Sequence, residues 1–72
     1  MPTDALHRAI AKKAKALMVQ KGLSVNHLAD FSGLGRGHLS DILAAKSSPT
    51  VRSLAKIADA LEVPVRDLFP EE

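Results

Sequence analysis

Apolar positions recur along this chain at spacings of three and four, and no stretch alternates as a strand would. Leu6, Ala9, Ile10, Ala14, Leu17 and Met18 form one stripe of a first helix, capped by Thr3 or Asp4 and stopped by Gly22. Its other side carries Arg8, Lys12 and Lys15, and Lys21 sits in the last turn, where a cation suits the helix dipole. Ser24 is an N-cap for a short second helix holding Val25, Leu28 and Ala29. Phe31-Ser32-Gly33-Leu34-Gly35 reads as a tight turn built on Gly33. A third helix runs from Arg36 to about Ala44 and buries Leu39, Ile42 and Leu43. After the loop Lys46-Ser47-Ser48-Pro49, Thr50 caps a fourth helix striped by Val51, Leu54, Ile57, Ala58 and Leu61. Pro64 opens a fifth helical turn with Val65, Leu68 and Phe69, and Pro70 ends it. The pattern predicts an all-α, compact five-helix domain in which residues 1–72 form one unit.

Composition narrows what such a domain can do. At 72 residues with 46% apolar and 25% charged positions, the chain has the balance of a globular protein. It has no cysteine, and its three histidines (His7, His27, His38) are too far apart for a short-spacing ligand pair, so no metal and no cofactor are expected. No apolar run is long enough to span a bilayer and no secretory signal is visible, which points to a cytoplasmic protein with no membrane partner. No Ser/His/Asp set, phosphate-binding loop or catalytic carboxylate pair can be assembled, so an enzyme is not expected, nor is a small-molecule ligand evident. Charge divides unevenly: residues 1–58 carry nine Lys/Arg against three Asp/Glu, and the acidic segment 59–72 carries one against five. A basic body with an acidic end suits a polyanion on one face, although ordinary solvated charge gives the same arithmetic.

The two short helices joined by a glycine turn, spanning about 24–44, have the dimensions of a helix-turn-helix. Around them stand Gly22-Leu23-Ser24, Leu28-Ala29, Gly33-Leu34, Leu39-Ser40-Asp41-Ile42, Pro49-Thr50, the run Leu54 to Leu61, and Val63-Pro64-Val65-Arg66-Asp67-Leu68-Phe69. In that order the chain resembles the Cro/repressor-type (xenobiotic-response-element) helix-turn-helix family over about residues 6–69. The resemblance implies a sequence-specific double-stranded DNA-binding transcriptional regulator, acting as a homodimer on a palindromic operator. The alternative is an antitoxin or adaptor-type protein-interaction module with weak or lost base readout, favoured by Val25 and Gly37.

On the family pattern the third helix enters the major groove and the second lies across the backbone. Base contacts then fall to Arg36, Gly37, Ser40 and Asp41. Arg36 can donate two hydrogen bonds to guanine, or remain a solvated first-turn residue. Gly37 either permits close approach or removes a contact. Asp41 can accept from cytosine, exclude other bases by repulsion, or simply be solvated. Phosphate contacts are expected from the start of the second helix (Ser24, Val25, Asn26), from His38, and from Lys46, Ser47, Ser48, Thr50 and Arg52 around the following loop. Phe31 and Phe69 sit at apolar-periodic positions, which disfavours stacking on single strands. The chain also departs from the family. Val25 stands where glutamine is frequent, Gly35 where Ser/Thr caps the recognition helix, and Leu43-Ala44-Ala45-Lys46 where Glu-x-Gly precedes a basic residue. An arginine near the end of the family's first helix pairs with that glutamate; Met18 and Leu43 occupy the two positions here and are expected to meet as a buried apolar contact. Val63, Val65 and Phe69 are the expected dimer interface, with Leu61 and Leu68 folding back on the core.

Overall fold

A computed structural model of the chain describes residues 2–70, with side chains from residue 5 onward. Four α-helices follow one another, α1 (Pro2–Lys21), α2 (Val25–Ser32), α3 (Arg36–Leu43) and α4 (Val51–Leu61), and a 3-10 turn (Val65–Leu68) closes the chain. The fifth element is therefore a single tight turn rather than an α-helix. α1 begins at Pro2, a residue suited to the first helical position because its missing N–H has no helical partner there. The expected caps Thr3 and Asp4 lie inside the helix, and their side chains are outside the described residues, as are Glu71 and Glu72 of the acidic segment.

Local chemistry sets the other starts. Ser24 Oγ accepts the His27 N–H at 3.2 Å, and Thr50 Oγ1 accepts the Ser53 N–H at 3.0 Å, each satisfying an orphan donor of the first turn. Gly35 precedes α3 with extended backbone and no side-chain cap. All four helices terminate through a left-handed residue: Gly22 (φ 70°), Gly33 (φ 78°), Ala45 (φ 59°) and Glu62 (φ 60°). The reversal aims backbone donors at carbonyls of the last turns. Leu23 N donates to Met18 O at 2.9 Å, Gly33 N to Ala29 O at 2.9 Å, Lys46 N to Asp41 O at 2.8 Å and Val63 N to Ala58 O at 3.0 Å. Two of the four reversals thus use residues with a side chain.

α1 spans about 30 Å at 1.5 Å per residue and matches the longest dimension of the molecule, 31 Å. It packs on α3, α4 and the closing turn, while α2 packs on α3 and α4. Leu28, Leu39, Ile57, Leu61 and Leu68 are the most deeply buried large side chains, joined by Ile10, Met18, Ile42, Leu43 and Leu54. Leu61 and Leu68 do fold back on the core, so the closing turn acts as a wedge between α1 and α4. Met18 and Leu43 are both buried in this core and line one groove between α1 and α3.

Three apolar positions expected inside are not. Leu6 lies one turn before the first core contact of α1, at Ile10. Val51 is 80% exposed because Ser53 and Leu54 take the inward positions of the first turn of α4. Phe31 is 63% exposed: α2 extends through Ser32, which occupies the buried position and leaves the phenyl ring outside. That ring stacks instead on the His27 imidazole one turn earlier, with centroids 6.3 Å apart.

Candidate nucleic-acid interface

α3 buries Leu39, Ile42 and Leu43 and presents Arg36, Gly37, His38, Ser40 and Asp41 to solvent. The four expected base-contacting residues therefore share the outer surface of one two-turn helix. Each flank of that helix is tied to a different neighbour. At its start, Arg36 Nη1 donates to Asn26 Oδ1 at 3.0 Å, which anchors one arm of the guanidinium on α2 and leaves the rest of its donor fork free. Along one edge, His38 Nε2 lies 3.4 Å from Ser53 Oγ on α4. Thr50 Oγ1 donates to that same Ser53 oxygen at 3.1 Å, leaving the Ser53 proton free to point at the imidazole. Along the other edge, Ser40 and Ala44 share a groove with Lys15 and Val19 of α1.

Gly37 is not required by the fold. A methyl group built on it meets nothing within 4 Å, and its backbone is helical. Its smallness therefore matters only to whatever approaches α3 from outside. Two pairings were not legible in the chain. Asn26 pairs with Arg36 across ten residues, and Ser53, buried beneath His38, was marked only by its place three residues after a capping threonine.

The expected phosphate ligands divide into several groups. Ser24 and Asn26 are exposed at the start of α2, but Val25 is half-buried and its side chain packs on the core, so that residue offers only its backbone. His38, Lys46, Ser48, Thr50 and Arg52 are exposed, and His38 and Thr50 meet at Ser53 of α4. Ser47 is turned inward: its Oγ is enclosed and has no hydrogen-bond partner, so the hydroxyl does not face solvent. Of the expected dimer residues, Val63 and Val65 are half-buried against the chain's own core, and Phe69 is 36% exposed beside them. The apolar patch is thus narrower than the sequence suggests. Among the described residues no group of His, Asp and Glu is arranged to hold a metal, and no helix is long and apolar enough to cross a membrane.

A buried-cored pair of short helices with the second one's polar face outward, braced on three sides, defines a helix-turn-helix module. The helix-turn-helix family model matches residues 15–68, and the chain belongs to that family. It is similar to the HTH-type transcriptional regulator SutR of Escherichia coli, with 41% identity over 59 residues, or 82% of this chain. The chain spans about a third of the length of that relative (33%). Its fold is similar to that of the restriction-modification controller protein C.AhdI of Aeromonas hydrophila, at 28% identity and a TM-score of 0.84, covering 88% of this chain and 96% of that one. It is also similar to a helix-turn-helix transcriptional regulator of Vibrio cholerae, at 32% identity and a TM-score of 0.87, covering 92% of this chain and 37% of that one. The chain is an all-helical member of a family of DNA-binding transcription regulators.

Proposed function

We propose that residues 1–72 act as one sequence-specific reader of double-stranded DNA, in which a homodimer places two copies of α3 in successive major grooves of a palindromic operator. The reading rests chiefly on the Arg36–Asn26 hydrogen bond of 3.0 Å, which pre-orients a guanidinium at the start of the exposed helix. A bidentate Arg contact to the O6 and N7 of guanine is the commonest specific pairing of a side chain in the major groove. Asn26 reduces the rotamer freedom that Arg36 would otherwise lose on binding. Gly37 gives the backbone of α3 close access to the base edges, Ser40 adds a hydroxyl, and Asp41 admits cytosine N4 while repelling misplaced phosphates.

The amides at the start of α2 and the cations Lys46 and Arg52 hold the backbone on either side, contributing affinity without sequence information. His38, fixed to Ser53, lines the same side. Phe69, with the outer edges of Val63 and Val65, forms the isologous contact that doubles the length of sequence read. The module has no catalytic step and needs no cofactor; it acts by occupying a promoter. Selection of bound duplexes from random DNA tests the whole reading. A recovered palindrome whose half-sites lie about one helical turn, roughly 34 Å, apart is the expected result. Recovery of no preferred sequence at all would overturn it and leave the adaptor role.

A further inference from the structure

The first helix carries a row of cations that the reading above does not use. Arg8, Lys12 and Lys15 are spaced i, i+4 and i+7, so they stand one above another on a single face of α1, and all three are exposed. No Asp or Glu occurs anywhere between residues 5 and 29, so no acidic residue of α1 beyond Asp4 can offset the row. The row borders the same seam that holds α3. Lys15 shares one groove with Ser40 and Ala44, and all three cations share a second groove with Ala44 and Ala45 at the end of α3. Of the outward residues of α3, Ser40 is the one that borders this seam, beside Lys15. Lys13, next in sequence, is half-buried and lines a groove with Ala9, Lys12, Ala16 and Pro70, away from Ala44 and Ala45.

We propose that Arg8, Lys12 and Lys15 form a phosphate-binding surface that grips the DNA backbone bordering the major groove occupied by α3, in addition to the contacts of Lys46 and Arg52. The inference rests on the DNA-reading role of α3. Seven residues of helix cover about 10 Å, and each strand of B-DNA presents a phosphate about every 3.4 Å of its axis, so the row is long enough to meet two or three phosphates. The row on α1 then adds to the cations Lys46 of the following loop and Arg52 of α4. Contacts of this kind carry no base preference and appear in the salt dependence of binding, at about 0.9 in the log–log slope per phosphate neutralised.

The test uses the full chain with Arg8→Gln, Lys12→Gln and Lys15→Gln combined, glutamine being nearly as good a helix former as the residues replaced. Affinity for a selected duplex is measured by fluorescence anisotropy across a salt series. The log–log slope should fall by roughly 2–3 while the preferred sequence stays the same, and Lys13→Gln should leave the slope unchanged. Trimming the duplex to the bases beneath α3 should abolish the difference between the triple variant and the natural chain. A slope equal to that of the natural chain, or a difference that persists on the trimmed duplex, overturns the proposal. If the triple variant melts early, the three single variants decide, each expected to lower the slope by about one. A natural chain that binds no duplex overturns the DNA reading itself; one that binds, loses slope with Lys46→Ala and keeps it in the triple variant overturns the α1 surface alone.

Discussion

Replacing Ala45 with glycine should stabilise this protein, whereas the same replacement one position earlier should weaken it. Ala45 holds a left-handed φ of 59° so that α3 can end, and its Cβ crowds the following carbonyl in that conformation. The crowding costs about 1–2 kcal/mol for a residue with a side chain. Glycine removes it but returns about 0.4–1 kcal/mol to the unfolded chain, which gains conformational freedom. The difference leaves a net gain of about 0.5–1 kcal/mol, or a rise of roughly 2–8 °C in Tm for a domain of this size. Both hydrogen bonds of the reversal, Lys46 N to Asp41 O at 2.8 Å and Ala45 N to Ile42 O at 3.0 Å, are backbone-only and survive the change. Ala44 has φ −91°, so glycine there relieves nothing and costs about 0.5–1 kcal/mol. Thermal unfolding followed by far-ultraviolet circular dichroism, at one fixed protein concentration, should show the two variants moving in opposite directions. If both moved the same way, the strain assigned to Ala45 would be absent.

Met18→Arg should destabilise the fold by about 3–5 kcal/mol, since it places an unpaired charge in the α1–α3 seam; adding Leu43→Glu should recover part of the loss in the same melting assay. Arg36→Ala should cost about 1–3 kcal/mol on the preferred duplex and relax selectivity at one base position, whereas Lys46→Ala should weaken all duplexes alike and lower the salt slope by about one; uniform weakening by both would make Arg36 a phosphate ligand. Phe69→Asp should shift the protein toward monomer in sedimentation and reduce operator affinity while leaving base preference intact; an unchanged oligomeric state would refute the interface.

The starts of α2 and α4 were legible because Ser24 and Thr50 announce themselves by side-chain chemistry, and two of the four stops because Gly22 and Gly33 do the same. α1, by contrast, begins at Pro2, ahead of the expected caps Thr3 and Asp4. The ends of α3 and α4 were found from the pattern, but the left-handed turns at Ala45 and Glu62 were not, since nothing in an alanine or a glutamate marks that backbone. Periodicity found the core of α4 from Leu54 onward but assigned Val51 and Phe31 to the interior by hydropathy alone. Which of two neighbouring positions turns inward depends on where the partner helix begins, and Ser53 and Ser32 took those places. The outward residues of α3 followed from its three buried ones. The bonds that orient them, Asn26 to Arg36 and Ser53 to His38, join separate helices and emerge only when the chain is folded.

Because Met18 and Leu43 join α1 to α3 without charge, ionic strength has little hold on the joint that seats the helix-turn-helix. An apolar seam answers to temperature, and added sulfate or phosphate tightens it, while a cationic surface on DNA loosens steeply as salt rises. Scaffold and binding thus answer to separate controls. High salt should lift the protein off DNA with its helices still in register, and dilution should return it without a refolding step. An arginine–glutamate bridge at the same place would have coupled the two, so that each change in ionic conditions altered the reader as well as its grip.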